Sequence, residues 1–343
     1  MYHLVTGSSG YLGSLIVKKL VKMKIPVKSI DVIEDDEISK ISKFKKIDIS
    51  NYNNELIDFF SDVVAVHHNA ALVPLTKSGK KFFDVNVKGT ENVINAAVEN
   101  KTEHFSHMSS SAIFSKPNKN QNVNYHKRKP TSVYGNSKYQ AELIVENAMT
   151  KKIFKSCSII RPRPIIGETR LGIFEILFDW VKDGKKIPVI GNGNNIFQFA
   201  NHQDLVDVSI ETAIRNLSGF YNIGNETYST LNKDLNTFFL KVNSKSKTLP
   251  IPNLIAVPTL FILDKLNLSP LSSWHYLSYS WNFYYDQKEN YKRLNWRPKK
   301  SNIELLCKAY EWYLDNEKTI KINQSPHRKK IKQKMLKVVK MFL

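Results

Sequence analysis

Cysteine is nearly absent from this 343-residue chain. Only Cys157 and Cys307 occur, so neither a disulfide framework nor a cysteine-ligated zinc cluster is available, and a reducing compartment suits the chain. Long apolar runs are missing too. The longest, Leu254 to Leu263, is interrupted by Pro258 and is too short to cross a bilayer. No secretory leader is expected, because Met1-Tyr2-His3-Leu4-Val5 runs directly into a glycine-rich turn. Acid is scarce relative to base: 31 Asp and Glu against 51 Lys and Arg give a formal charge of +20. That balance suits nucleic acid, anionic lipid or an anionic substrate, or simply a lysine-rich solvated surface. No nucleic-acid recognition motif accompanies the charge, so no such partner is expected. With 42% hydrophobic residues the chain is not of the disordered type and suits one large α/β domain with a smaller lobe.

What is present alternates. Tyr2 to Thr6, Val27 to Asp31, Val63 to His68, His104 to Ser109 and Ser156 to Arg161 have the composition of buried strands. Tyr11 to Lys22, Phe82 to Asn100 and Tyr134 to Met149 carry helical spacing between them. Strand and helix in alternation predict a doubly wound parallel sheet, with ligands at the carboxyl ends of its strands. After Pro162 the pattern loosens into helices joined by proline-rich connectors such as Leu249-Pro250-Ile251-Pro252. The expected division is 1–165 for the sheet domain with contributions from about 195–225, 166–315 for a mostly helical substrate lobe, and 316–343 for a basic tail.

Gly7, Gly10 and Gly13 stand three apart, directly after a strand and at the start of a helix. In that context Gly7-Ser8-Ser9-Gly10-Tyr11-Leu12-Gly13 is expected to bring backbone close to a pyrophosphate, with the free N–H groups of the helix start turned to the phosphates. Asp31 ends the second strand, 18 positions beyond Gly13. A carboxylate there accepts from ribose hydroxyls and repels a 2′-phosphate, so the expected cofactor is NAD. Asp48 and Ile49 are weaker candidates to flank the adenine. Tyr134 and Lys138 share a helix face at i and i+4. An unperturbed tyrosine is a poor base at neutral pH, and a lysine ammonium beside it lowers its pKa. Ser109-Ser110-Ser111 ends a strand on the same edge and offers hydroxyls to a substrate oxygen.

Together these segments resemble an extended short-chain dehydrogenase/reductase of the NAD-dependent epimerase/dehydratase type, a Rossmann fold, over roughly residues 1 to 315. The resemblance is carried by Thr6 to Gly13, Asp31, Asn69-Ala70-Ala71, Asn86-Val87-Lys88-Gly89-Thr90, Ser109 to Ser111, Tyr134 to Lys138, and Arg161-Pro162 with Gly167. It implies Tyr134 as acid/base, Lys138 as nicotinamide-ribose ligand and tuner of Tyr134, and Ser111, or alternatively Ser110, as the residue orienting the reacting oxygen. It also implies Ser9, Tyr11, Leu12, Asn69, Ala70, Ala71, Asn86, Ser109 and Arg161 around the cofactor, with hydride transfer at a carbinol carbon.

Departures from the family pattern narrow the reaction. The acidic pair of 4,6-dehydratases is replaced by Ala112-Ile113, which disfavours dehydration. Pro164 stands where nucleotide-sugar epimerases commonly carry a diphosphate-binding asparagine, and an arginine expected near Ile196 is missing. Arg163, Arg170, Lys185 and Lys186 are candidates to replace these contacts, or are ordinary surface charges. The expectation is an NAD-dependent epimerase acting on a nucleotide- or polyprenyl-linked sugar in surface-glycan synthesis. The alternatives are a dehydrogenase of a non-nucleotide alcohol, similar to 3β-hydroxysteroid dehydrogenase-like members, and a non-catalytic NAD-binding protein. No metal is expected: His67-His68 lack a third ligand at useful spacing and suit strand packing. The aromatic cluster Trp274 to Tyr285 packs the lobe or floors a sugar or lipid pocket. In the tail, seven Lys or Arg after Pro326 oppose Ile331, Met335, Val338, Val339 and Phe342, the pattern of an interfacial helix on anionic lipid, or of a docked or solvated helix. A cytoplasmic protein, peripheral at the inner membrane face and able to form a homodimer, is the corresponding expectation.

Overall fold

In the computed structural model, which describes residues 1–117, 127–169, 172–318, 333 and 335–343, the alternation becomes a seven-stranded parallel sheet. Strands β1 (Tyr2–Thr6), β2 (Val27–Asp31), β3 (Lys43–Lys46), β4 (Val63–His68), β5 (His104–Met108), β6 (Ser156–Pro162) and β7 (Gly219–Ile223) lie in the order β7-β6-β5-β4-β1-β2-β3. The order reverses at β1, where Thr6 stands beside Ile30 of β2 on one side and His68 of β4 on the other. Loops leaving β1 and β4 in opposite directions open a crevice at that point.

Alternation of side chains along β1 sorts the two covering layers. Leu4 faces a core with Val66, Phe105 and Ile159, closed by Val93 and Ala97 of α2 (Gly89–Glu99) and Val145 of α3 (Val133–Thr150). Val5 faces Ile16 and Leu20 of α1 (Tyr11–Lys22) and Val206 and Ile210 of α5 (His202–Ile214). Between α3 and α5 comes α4 (Ile173–Lys182). The chain leaves the sheet after Ile166 and returns over 200–223, where Ala200–Asn201 pairs with Ile165–Ile166 before α5 and β7. The lobe has its own core, in which Phe174, Phe178 and Trp180 of α4 meet Phe238 of α6 (Leu231–Lys241) and Tyr310 and Tyr313 of α8 (Asn302–Asn316). Helix α7 (Asn253–Lys265) lies between α6 and α8 in sequence, beside a two-stranded ribbon, Ile187–Ile190 with Thr248–Ile251.

Two strands escaped the hydrophobic pattern. β3 is Lys43-Phe44-Lys45-Lys46, a charged edge strand of the kind that resists further pairing. β7 closes the opposite edge after the excursion into the lobe. The expected helix 82–100 is interrupted by a π-helical turn, Asp84–Lys88, which carries Asn86. The histidines pack inside the sheet: His67 contacts His3 (3.0 Å) and Ser209 Oγ (2.9 Å), and His68 contacts Thr6 Oγ1 (2.7 Å) and Thr90 Oγ1 (2.9 Å).

The tail corrects an expectation. Helix α9 (Met335–Met341) packs Leu336 and Val339 on the lobe core, and Lys340 Nζ reaches Asp179 Oδ2 and Asp183 Oδ2 at 2.6 Å each. Lys340 is therefore on the docked side, not among the outward cations, because α4 supplies the counter-charges. Met335, Val338, Met341 and Phe342 are exposed. Ile331 and the charges at Arg328, Lys329, Lys330, Lys332 and Lys334 lie outside the described residues. No described helix is long and apolar enough to cross a membrane.

Candidate active site

A cleft of about 220 Å³ opens at the sheet's carboxyl edge. Its floor is the glycine turn. Gly7 has φ +67° and a Cβ there would sit 2.7 Å from the Ala70 nitrogen. A Cβ at Gly13 would lie 2.0 Å from the Gly7 carbonyl oxygen, so Gly13 lets α1 press onto the turn. Gly10 caps α1 without any side-chain hydrogen bond, and no acid occupies the first turn. The positive end of the helix thus faces the cleft, which Gly10, Tyr11, Leu12 and Gly13 line, a cradle for a diphosphate.

Asp31 sits beside this cradle. Its carboxylate accepts from Ser9 N (3.0 Å) and Ile33 N (3.1 Å), while burial raises its pKa. Lone pairs left on both oxygens suit ribose hydroxyls. Replacing Asp31 by Asn is expected to weaken NAD about 10-fold to 100-fold, the range for losing a charged hydrogen-bond partner, and to narrow the NAD-over-NADP preference. Titrations with both dinucleotides check this; an unchanged preference would remove Asp31 from the site. Asn69 and Ala71 line the same cleft, with Asn69 N and Ala70 N both held by Thr6 Oγ1 at 3.2 Å.

Three expected cofactor residues, like Asp31 and Ser9, are not in the lining of this cleft. Asn86 is buried, and its side chain grips Leu72 N (2.7 Å), Leu72 O (3.1 Å) and Ser137 Oγ (3.0 Å), tying the β4 loop to α3. Ile49 belongs to the core, under Gly89, and the exposed Asp48 closes a turn onto Ser50 N (2.9 Å). Both follow β3 on the carboxyl edge, but neither lines the cleft.

The opposite wall carries the hydroxyls and the base pair. Ser109, Ser110 and Ser111 follow β5, and Tyr134 and Lys138 come from the first turns of α3. Ser132 caps that helix by accepting from Gly135 N (3.0 Å). Lys138 is fully buried. Its Nζ donates to Met108 O at 2.7 Å, and burial lowers its pKa to about 8. Ser110 Oγ accepts from Ala112 N and Ser111 Oγ from Arg163 Nη1, so each hydroxyl keeps its hydrogen, and both line the cleft.

Of the two readings open for Arg163, its burial removes the surface charge. Arg163 is 1% exposed, stacked 3.8 Å from the Phe283 ring centroid and 5.2 Å from that of Phe197. Its Nη1 donates to Ser111 Oγ at 3.2 Å, and burial lowers its pKa to about 9. Lys185 and Lys186 do not line the cleft, and Arg170 lies outside the described residues.

Arg161 is engaged behind the cleft wall: it forks onto buried Glu142, Nε to Oε2 at 3.1 Å and Nη2 to Oε1 at 2.6 Å. Glu142 also accepts from Arg128 (2.9 Å) and from Ser109 Oγ (2.5 Å). This hub fixes the first cleft serine against α3. Glu142→Ala strands the buried Arg161 guanidinium, while the half-buried Arg128 keeps Glu146 at 2.6 Å, and is expected to cost about 3–5 kcal/mol, measurable by denaturant unfolding. A loss under about 1 kcal/mol would show the hub to be solvated.

The aromatic cluster is divided between packing and the cleft wall. Trp274, Trp281, Phe283 and Tyr285 pack with Ala112, Ile113 and Phe114, while Trp274, His275 and Tyr279 line the cleft. Among the described cleft-lining residues there is no Asp or Glu.

Comparison with known proteins agrees with this geometry. Residues 3–224 match the family described as NAD dependent epimerase/dehydratase. An uncharacterized protein, y4nG, of Sinorhizobium fredii is 34% identical over 336 residues, covering 97% of this chain and 84% of that one. The N-acetyl-alpha-D-glucosaminyl-diphospho-ditrans,octacis-undecaprenol 4-epimerase of Escherichia coli O157:H7 is 27% identical over 225 residues, 65% of this chain and 66% of that one. The structure of a UDP-glucose 4-epimerase from Thermotoga maritima with UDP-glucose superposes with a TM-score of 0.74 at 18% identity, covering 92% of this chain and 100% of that chain, a likeness of fold.

Proposed function

The chain belongs to the NAD-dependent epimerase/dehydratase family, and from that premise we propose that it inverts one carbinol centre of a diphosphate-linked sugar, carried on a polyprenyl chain, during glycan assembly. The observation that carries this reading is the juxtaposition of Ser111, Tyr134 and Lys138 on one wall of a cleft whose floor is the Gly7–Gly13 cradle. The named activity of the Escherichia coli relative supports the lipid-linked form.

NAD held over the Gly7–Gly13 cradle and Asp31 would supply a reversible hydride acceptor. The chain's own residues handle the proton and the substrate. Arg163 donates to Ser111 Oγ and so holds that hydroxyl beside the substrate space, where it would meet the substrate oxygen. Tyr134 Oη takes the proton from that oxygen and later gives it back. Lys138, anchored on Met108 O and mostly cationic at neutral pH, favours the Tyr134 phenolate. Between the two half-reactions the oxidised sugar turns its other face to the cofactor. An elimination would need a further acid or base at the neighbouring carbon, and Ala112 and Ile113 are buried apolar side chains.

An enzyme of this kind recycles its cofactor within one active site. The protein purified without added NAD is therefore expected to retain it, at an appreciable fraction of one equivalent after extensive dialysis. Complete loss of NAD, with turnover restored only by a continuous supply, would favour a dehydrogenase that releases a ketone.

A further inference from the structure

The lobe contains a second cavity, of about 360 Å³. Ile176 and Leu177 of α4, Leu260 and Leu263 of α7, and Leu336 and Val339 of α9 are among its walls. Polar atoms on its lining side chains are confined to Thr259, Tyr279 and Trp180, and the Trp180 N–H is already given to Gln333 Oε1 at 3.0 Å. Ile173, Phe174 and Tyr279 line both this cavity and the catalytic cleft, so the two spaces share a wall. On the far side, α7 turns apolar residues outward: Leu254 is 89% exposed, and Phe261 and Ile262 are exposed as well, while the exposed Ile255 borders the cavity itself. Exposed apolar surface of this kind beside an apolar cavity marks contact with an apolar ligand.

We propose that this cavity receives the hydrocarbon chain of a lipid-linked substrate whose sugar occupies the catalytic cleft, the chain passing the shared wall at Ile173, Phe174 and Tyr279 and leaving across α7. The inference rests on the lipid-linked reading above and adds where the lipid goes. Size agrees. A dry cavity of roughly 150 Å³ takes one benzene, so 360 Å³ holds on the order of a dozen carbons, two to three isoprene units. The occupant is aliphatic, because a nucleoside would bring base and ribose donors to walls that have almost nothing to pair with them. The lost pairing would be costly, whereas each methylene removed from water contributes about 0.8 kcal/mol.

The test uses the full chain, farnesol as a binding probe, and two sugar substrates, one linked through diphosphate to farnesol and one to uridine. Leu260→Trp fills the cavity from a half-buried position, and Leu260→Asp makes it polar without bulk. Both variants should keep NAD retention and the thermal midpoint of the parent. Farnesol should bind the parent and lose at least about tenfold in affinity in both variants, the consequence of expelling two or more methylenes. The farnesyl-linked substrate should lose a similar factor in kcat/KM while the uridine-linked one stays within about twofold. Equal farnesol affinity in parent and variants, or no farnesol binding to the parent, overturns the cavity assignment. Inversion of the uridine-linked sugar would then still stand for the proposed reaction. Conversely, farnesol binding that Leu260→Trp abolishes, with no inversion of either sugar, keeps the cavity and removes the reaction.

Discussion

Tyr134→Phe is expected to lower turnover by roughly three orders of magnitude, within the range carried by a positioned acid/base. Phenylalanine keeps the ring that meets Phe82 edge-on at 5.9 Å and removes only the hydroxyl. Fold, NAD content and substrate affinity should therefore survive, and the loss should fall on kcat. Lys138→Met should produce a loss of similar size for a different reason: it removes the cation that favours the phenolate and also the donor to Met108 O. In the parent enzyme the lysine charge disappears above its lowered pKa of about 8, so the rate should decline on the alkaline side of that value. Steady-state rates on the parent and both variants, with NAD occupancy measured on the same samples, check the assignment. A Tyr134→Phe enzyme that keeps more than about a tenth of the parent rate would take the proton transfer away from Tyr134.

Acidification is expected to unfold the protein cooperatively between about pH 6 and pH 4. His3, His67, His68, His104 and His107 are buried in β1, β4 and β5. Burial holds His3 near 4, His68 and His104 near 3, and His67 and His107 well below their ordinary 6.5. Both ring nitrogens of His107 are without a hydrogen-bond partner, so nothing nearby welcomes a charge there. In the unfolded chain all five bind protons near 6.5, so the unfolded state is the better proton binder below that pH. Stability is present above 6.5 and is lost as pH falls toward the folded values. Each proton of difference contributes about 1.4 kcal/mol per pH unit. Three buried carboxyls oppose this. Burial raises Asp204 to about 7 and also lifts Asp31 and Asp234, so the folded state gains protons there first. With all three protonated, two of the five histidine protons remain uncompensated, and the slope is still about 3 kcal/mol per pH unit. A net stability on the order of 10 kcal/mol does not survive more than a few such units. Circular dichroism against pH, with proton uptake by calorimetry, should show at least about two protons bound on unfolding. A native spectrum at pH 3.5, or net proton release, would contradict this.

What the sequence disclosed is what local pattern encodes. The Gly7–Gly13 turn, Asp31 and the Tyr134–Lys138 pair each lie within one strand–turn–helix unit or one helical turn, so spacing alone places them. Arg161 and Glu142 are 19 residues apart, and only packing of α3 against β6 shows that they pair. Arg163 stays open in the sequence between a substrate contact and a surface charge, because arginine in a proline-rich loop is normally the latter; burial between Phe197 and Phe283 depends on segments some 30 to 120 positions away. β3 was missed because three of its four residues are lysines, the device that protects an edge and hides the hydrophobic signal. Lys340 looked free because its partners Asp179 and Asp183 sit on another helix, more than 150 residues earlier.

The most direct measurement follows one substrate through one turnover cycle. Purified protein, with no cofactor added, is mixed with a farnesyl-diphosphate-linked N-acetylhexosamine, and product stereochemistry is read by NMR alongside nicotinamide absorbance. The proposed reaction predicts inversion at a single ring carbon, approach to an equilibrium between the two sugars, and no net accumulation of reduced cofactor. Reduced cofactor building up in step with a released ketone, at unchanged ring stereochemistry, would contradict an epimerase and make the protein a dehydrogenase.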